Sequence, residues 1–118
     1  MASRWTFFVA GDYGQKENGI ESLLHFWNID GTLLKSIHGS KAEYRNIRWN
    51  KNGDYLATAS DALRIWSKDG QLIYVSKSED LLWGIDWDSQ YKNIITYSEK
   101  GKIILWTYNA NFVKDIDN

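Results

Sequence analysis

The amino-acid sequence predicts an all-β fold built from repeated four-stranded antiparallel units, on three observations. Trp27, Trp66 and Trp106 recur at spacings of 39 and 40, each after an apolar residue: Phe26, Ile65 and Leu105. A second pair, Trp49 and Trp87, lies 38 apart, and self-similarity at such a period marks a repeat architecture. Composition agrees, with seven Trp, seven Tyr, four Phe, nine Gly and no Pro. Aromatic and β-branched residues suit pleated strands, glycines suit tight turns, and no long helical periodicity interrupts them.

Each element follows from a local pattern; the strands of one unit are labelled a to d in chain order. Ile47-Arg48-Trp49 overlays Ile85-Asp86-Trp87, with Ile and Trp on one face of a period-two strand a. Seven residues after each Trp comes Leu56 or Ile94, opening strand b, where Ala57-Thr58-Ala59-Ser60 overlays Ile95-Thr96-Tyr97-Ser98. Strand c is Leu24-His25-Phe26-Trp27, Leu63-Arg64-Ile65-Trp66 and Ile103-Ile104-Leu105-Trp106. After it, Asp30-Gly31 and Asp69-Gly70 precede the apolar pairs of strand d, and Asn109-Ala110 takes the same place in the third unit. Asp-Gly between apolar alternations signals a hairpin, because both turn positions tolerate positive φ.

The units divide the single domain expected for 118 residues into a partial unit at 4–38 and full units at 44–78 and 82–117. The first has strands b, c and d but only five residues before b, and a long b-to-c connection at 13–22. The expected total is eleven strands.

Four-stranded units of about forty residues, with strand c ending in an apolar residue and Trp, resemble the WD-repeat β-propeller. The resemblance spans nearly the whole chain and implies propeller blades in an incomplete ring. It departs from the family pattern at the residue after the c-strand Trp, where Asn28, Ser67 and Thr107 replace Asp. The Gly-His pair before strand a is reduced to Gly39-Ser40. Of the buried His, Ser/Thr, Asp and Trp chain that the family implies, Ser60, Asp61 and Trp66 of the middle blade are the expected remnant.

A propeller needs roughly four to eight blades, each buried against its neighbours. The expectation is therefore a segment of a larger propeller, a fragment that associates with itself, or a chain completed by a different subunit. Two copies fall two strands short of six full blades, so a closed homodimer requires that a strand be exchanged or left out.

Chemistry-bearing clusters are sparse. Cysteine is absent and there are two histidines, leaving no thiolate metal site or disulfide. His25 is expected as a packing residue, and the Asp86/Asp88 pair as a solvated strand end rather than a cation site. No Gly-rich loop precedes a helix. The expectation is no enzyme, no cofactor and no metal. Net charge is −1, with 43% hydrophobic and 25% charged residues, which argues against nucleic acid as a partner. Apolar runs as short as 7–10 exclude a membrane helix, and the cysteine-free composition suits the cytoplasm or nucleus.

What remains is protein recognition. Trp27, Trp49, Trp66, Trp87 and Trp106 are expected in the blade core, with Trp5 packing likewise. Trp83 overlays Arg45 at the start of strand a, where the resemblance places the partner-binding face, and Arg and Trp are enriched in binding hot spots. The d-to-a linkers and b-to-c loops share that face, which adds Tyr13, Lys16, Glu17 and His38 as contact candidates. The expected partner is a protein or peptide, on a non-catalytic scaffold that also oligomerises or is completed by further blades. The alternatives are a fragment whose main activity is blade-to-blade association, and a Trp-based carbohydrate binder.

Overall fold

In the computed structural model, residues 7–12, 14–40, 42–50, 53–88, 90 and 92–116 are described. Among them, eleven strands form three antiparallel sheets. The first contains β1 (Phe7–Gly11), β2 (Ser22–Asn28) and β3 (Leu33–Ser40), paired in that order. The second runs β4 (Asn46–Trp49), β5 (Tyr55–Ala59), β6 (Ala62–Ser67) and β7 (Leu72–Lys77). The third runs β8 (Leu82–Trp87), β9 (Asn93–Ser98), β10 (Ile103–Thr107) and β11 (Phe112–Asp115). The fold is all-β, each sheet is a blade-like meander, and they do not close into a ring. The one short 3-10 turn among the described residues is Lys16–Asn18, in the long β1–β2 connection.

Three c-to-d turns repeat one geometry. The amide of Gly31, Gly70 or Ala110 donates to the carbonyl of Asn28, Ser67 or Thr107 at 2.9–3.0 Å. Gly31 and Gly70 hold φ of 94° and 86°, and Ala110 adopts 67° in their place, although a Cβ disfavours that region. The residues standing where the resembled family has Asp find local work. Ser67 Oγ accepts the Gln71 amide at 3.1 Å, and Thr107 Oγ1 accepts the Asn111 amide at 3.1 Å. Asn50 and Asp88 play the matching part in the a-to-b turns, accepting two backbone amides each.

The three sheets stack face against face, β8 against β4 and β5, and β1 against β4. The array measures 45 × 39 × 18 Å, so its core consists of two seams. In one seam Val9, Leu24, Phe26 and Ile37 of the first sheet meet Tyr44, Ile47, Trp49, Leu56 and Trp66 of the second. In the other, Ala57, Ala59, Leu63 and Ile65 meet Leu82, Ile85, Trp87, Ile94, Ile104 and Trp106. The alternation is the period-two rule at work: Ile65 looks forward to the third sheet while Trp66 looks back to the first.

Candidate functional site: the Arg45–Trp83 end of the sheets

The strand order sets β1, β3, β5, β7 and β9 ending where β2, β4, β6, β8 and β10 begin, so their connections gather at one end. Hydrogen bonds tie this end together. The Leu82 amide donates to the Ser60 carbonyl at 2.8 Å, the Glu99 amide to the Leu81 carbonyl at 2.8 Å, and the Lys100 amide to Asp80 Oδ2 at 3.0 Å.

Arg45 and Trp83 meet here. The Arg45 guanidinium lies 4.9 Å from the centroid of the Trp83 ring, within cation–π range. Arg45 also pairs with Glu43, and its amide donates to the Ala59 carbonyl at 2.9 Å, extending the β4–β5 ladder. Trp83 owes its position to a break in register. Leu82 pairs with Ser98 and Gly84 with Tyr97, so Trp83 is an extra residue in β8. A bulge of this kind re-aims a side chain while the strand continues. Both groups stay accessible, with 40% of the Arg45 side chain and 41% of Trp83 exposed.

Beneath the surface the end is polar. Arg64 donates to Ser60 Oγ at 2.9 Å and to Asp61 Oδ1 at 2.7 Å. The Ser40 hydroxyl donates to the Ala42 carbonyl at 2.6 Å, bracing the linker into β4. Tyr44 is buried over Gly11, where a Cβ would lie 2.5 Å from that of Tyr44, so a side chain larger than glycine has no room. Burial pushes the Tyr44 phenol up to about 12, and its hydroxyl has no hydrogen-bond partner among the described residues.

The tryptophan chemistry corrects one expectation. Trp66 does not use Ser60 and Asp61; its indole N–H donates to Thr58 Oγ1 at 3.0 Å. The third sheet repeats the bond, with Trp106 donating to Thr96 Oγ1 at 2.8 Å. The reason is register: Trp66 pairs with Leu56 and Trp106 with Ile94, and the hydroxyl lies two residues along the same face. Trp27 pairs with Phe8, which places Ala10 where those threonines stand. Ser60 and Asp61 serve Arg64 instead. Trp87 donates across the seam to the Arg48 carbonyl at 3.2 Å. Trp66, Trp87 and Trp106 are buried, while Trp27 and Trp49 are half-buried.

The histidines lie elsewhere. His25 is more than a packing residue: its Nε2 is 3.0 Å from Asp12 Oδ2 and its Nδ1 2.7 Å from Ser36 Oγ. His38, largely exposed, joins Glu21 at 3.2 Å rather than the Arg45–Trp83 pair. Glu17 is exposed, in the same 3-10 turn as Lys16. Tyr13 and Trp5 lie outside the described residues. Asp86 and Asp88 do not act as a pair, since Asp86 accepts the Trp87 amide while Asp88 caps its turn. Among the described residues no three His, Asp or Glu side chains group as metal ligands, and no helix is long and apolar enough to cross a membrane.

Beside the Arg45–Trp83 end, a cleft of about 300 Å³ opens between β7 and the β10–β11 hairpin. Trp106 and Phe112, edge to face with centroids 6.0 Å apart, form an apolar wall. Glu79, Asp80 and Asp115 add acidity, offset by Lys77 and by Lys102, which reaches Glu79 at 3.4 Å. Sequence reasoning found Arg45 and Trp83 by overlaying two units, but this cleft depends on how two sheets splay and has no linear signature. No family model matches the chain, and no curated protein matches it.

Proposed function

We propose that the chain is a segment of a WD-like propeller scaffold that binds a protein or peptide partner at the end carrying Arg45 and Trp83, without catalysis. The observation behind this reading is the cation–π pair itself. Two side chains from successive sheets converge, half-exposed, on a surface otherwise made of turns. A rigid aromatic and a guanidinium offer large contact area and directed hydrogen bonds. The neighbouring cleft supplies an apolar wall with a rim of mixed charge, suited to an apolar peptide side chain flanked by polar ones. The bonds from Trp66 to Thr58 and Trp106 to Thr96 support the WD-like part of the reading.

Stacking on carbohydrate finds less support. Trp66 and Trp106 are buried and their indole N–H groups are committed to threonines.

The test replaces Trp83 with a photo-crosslinking aromatic residue in cells that produce the protein, with the same change at exposed Tyr108 as control. A discrete adduct at position 83, absent at 108 and lost on Arg45→Ala, is the expected result. Equal adducts at both positions, or none at 83, overturn the reading.

A further inference from the structure

The two seams inside the chain follow one rule, and the two outermost sheet faces obey it as well. Register makes Leu24, Leu63 and Ile103 equivalent, and likewise Phe26, Ile65 and Leu105. Leu24 and Phe26 receive Trp66, and Leu63 and Ile65 receive Trp106. Ile103 and Leu105, with Ile95 and Ile116, present the same kind of surface on the far face of the third sheet, where no described sheet lies against them. At the opposite end of the array, Trp27 holds the position of Trp66 and Trp106 and is only half-buried. One end of the chain therefore offers what the other receives.

We propose that two copies of the chain associate head to tail, the Trp27 face of one seated on the Ile95, Ile103 and Leu105 face of the other.

Two details select a second copy over a generic further blade. At the seam between the first and second sheets, Lys35 Nζ donates to the Asp69 carbonyl. Lys114 occupies the Lys35 position, opposite Leu105 as Lys35 is opposite Phe26. The first sheet carries Asp30, three residues after its tryptophan, at the Asp69 position. The contact can thus be remade between copies, from Lys114 to the Asp30 carbonyl.

The second detail is steric. Gly11 lies against Tyr44 of the linker into β4, where a Cβ would collide, and Ala59 packs in one cluster with Leu82 and Ile85 of β8. The equivalent residue in the third sheet is Tyr97, large and 49% exposed. A blade that presents a residue like Tyr44 there would strike that ring. Among the described residues the first sheet begins at β1 and presents no such neighbour at that edge. Two copies also bring six sheets together, within the roughly four to eight that a ring holds.

The interface is heterologous, so each copy uses two different faces, and mutations on opposite faces complement. The experiment measures mass by light scattering behind a sizing column for the chain, for Trp27→Arg, for Leu105→Arg, and for an equimolar mixture of the two variants. The chain is expected at twice its 13.7 kDa mass, each variant at the single mass, and the mixture as a one-to-one dimer. A chain that runs at the single mass, or variants that still dimerise alone, overturn the proposal. If either variant fails to fold, the double change Asp30→Cys with Lys114→Cys decides between the outcomes, since the sequence has no other cysteine. A short bis-maleimide should then join two chains, whereas Asp69→Cys with Lys114→Cys should not. Failure of the first pair to cross-link also overturns the proposal.

Discussion

The first and middle sheets share a strand register yet differ in how deeply they bury the same positions. Trp66 is 1% exposed, whereas Trp27, at the matching place, is half-buried. The polar pairs made by the residue two before each tryptophan diverge likewise. Arg64 and Asp61 show 10% and 33% side-chain exposure, against 23% and 42% for His25 and Asp12. The strands are equally regular; the difference is that a sheet lies against the Trp66 face. In a stacked array, a residue's burial is conferred by its neighbour and not by the strand that carries it.

The largest expected effect tests that statement directly. Trp66→Ala should cost about 3–5 kcal/mol in urea unfolding, as for other buried aromatics cut to Ala. Trp27→Ala, made in the Leu105→Arg background to exclude association, should cost less than half as much. Equal losses would mean that burial by a neighbouring sheet is not what separates the two positions. Next comes the hydroxyl. Thr58→Val leaves the buried Trp66 N–H without its acceptor and should cost about 1–3 kcal/mol. Ala10→Val at the matching place in the first sheet, by contrast, should change stability by no more than about 0.5 kcal/mol.

A smaller effect concerns acid. Partial desolvation raises the Asp12 carboxyl, but the Leu23 amide and His25 outweigh it and hold the value below the usual 3.8. A carboxylate with a depressed folded value contributes its full stability above the unfolded value and loses it as pH falls through the folded one. Amide exchange in β1 and β2 should therefore quicken below pH 3.8 before exchange in β5 and β6 does, and Asp12→Asn should abolish that order. The smallest effect is at Tyr44. Its raised value means that stability is intact below pH 10 and declines toward about pH 12. Because the hydroxyl has no partner among the described residues, Tyr44→Phe should leave stability unchanged or raise it by up to about 1 kcal/mol, and should remove the alkaline loss. A drop of more than that would reveal a bond to the hydroxyl.

Much of the architecture was legible because strands and turns write short-range patterns. The apolar residue before each Trp, the alternation around Ile47 and Ile85 and the two Asp-Gly turns locate the strands without knowledge of contacts. Overlaying units even identified Ala110 as the stand-in for a glycine. The polar pairings were not legible to the same degree. Ser60 and Asp61 were expected beside Trp66 because the resembled family implies such a chain; the actual acceptor, Thr58, is chosen by which face of β5 the cross-strand register turns toward the indole. Arg45 and Trp83 were suggested as equivalent positions, but nothing linear shows that equivalence in successive sheets brings them into contact. The bonding of His25 to Asp12 and Ser36 depends on a side-chain reach across three strands, information that a one-dimensional pattern does not contain.

The extra residue in β8 has a consequence for how this surface can change over time. Elsewhere in a strand, inserting or deleting one residue turns every following side chain to the opposite face. At Trp83 the detour is already present, and Ile85 and Trp87 keep step on the far side of it. The exposed ring can be swapped for any other side chain, or its neighbourhood reshaped, without re-phasing the seam below. Selection can therefore rewrite what this end of the sheets presents to solvent while what holds the sheets together is inherited intact.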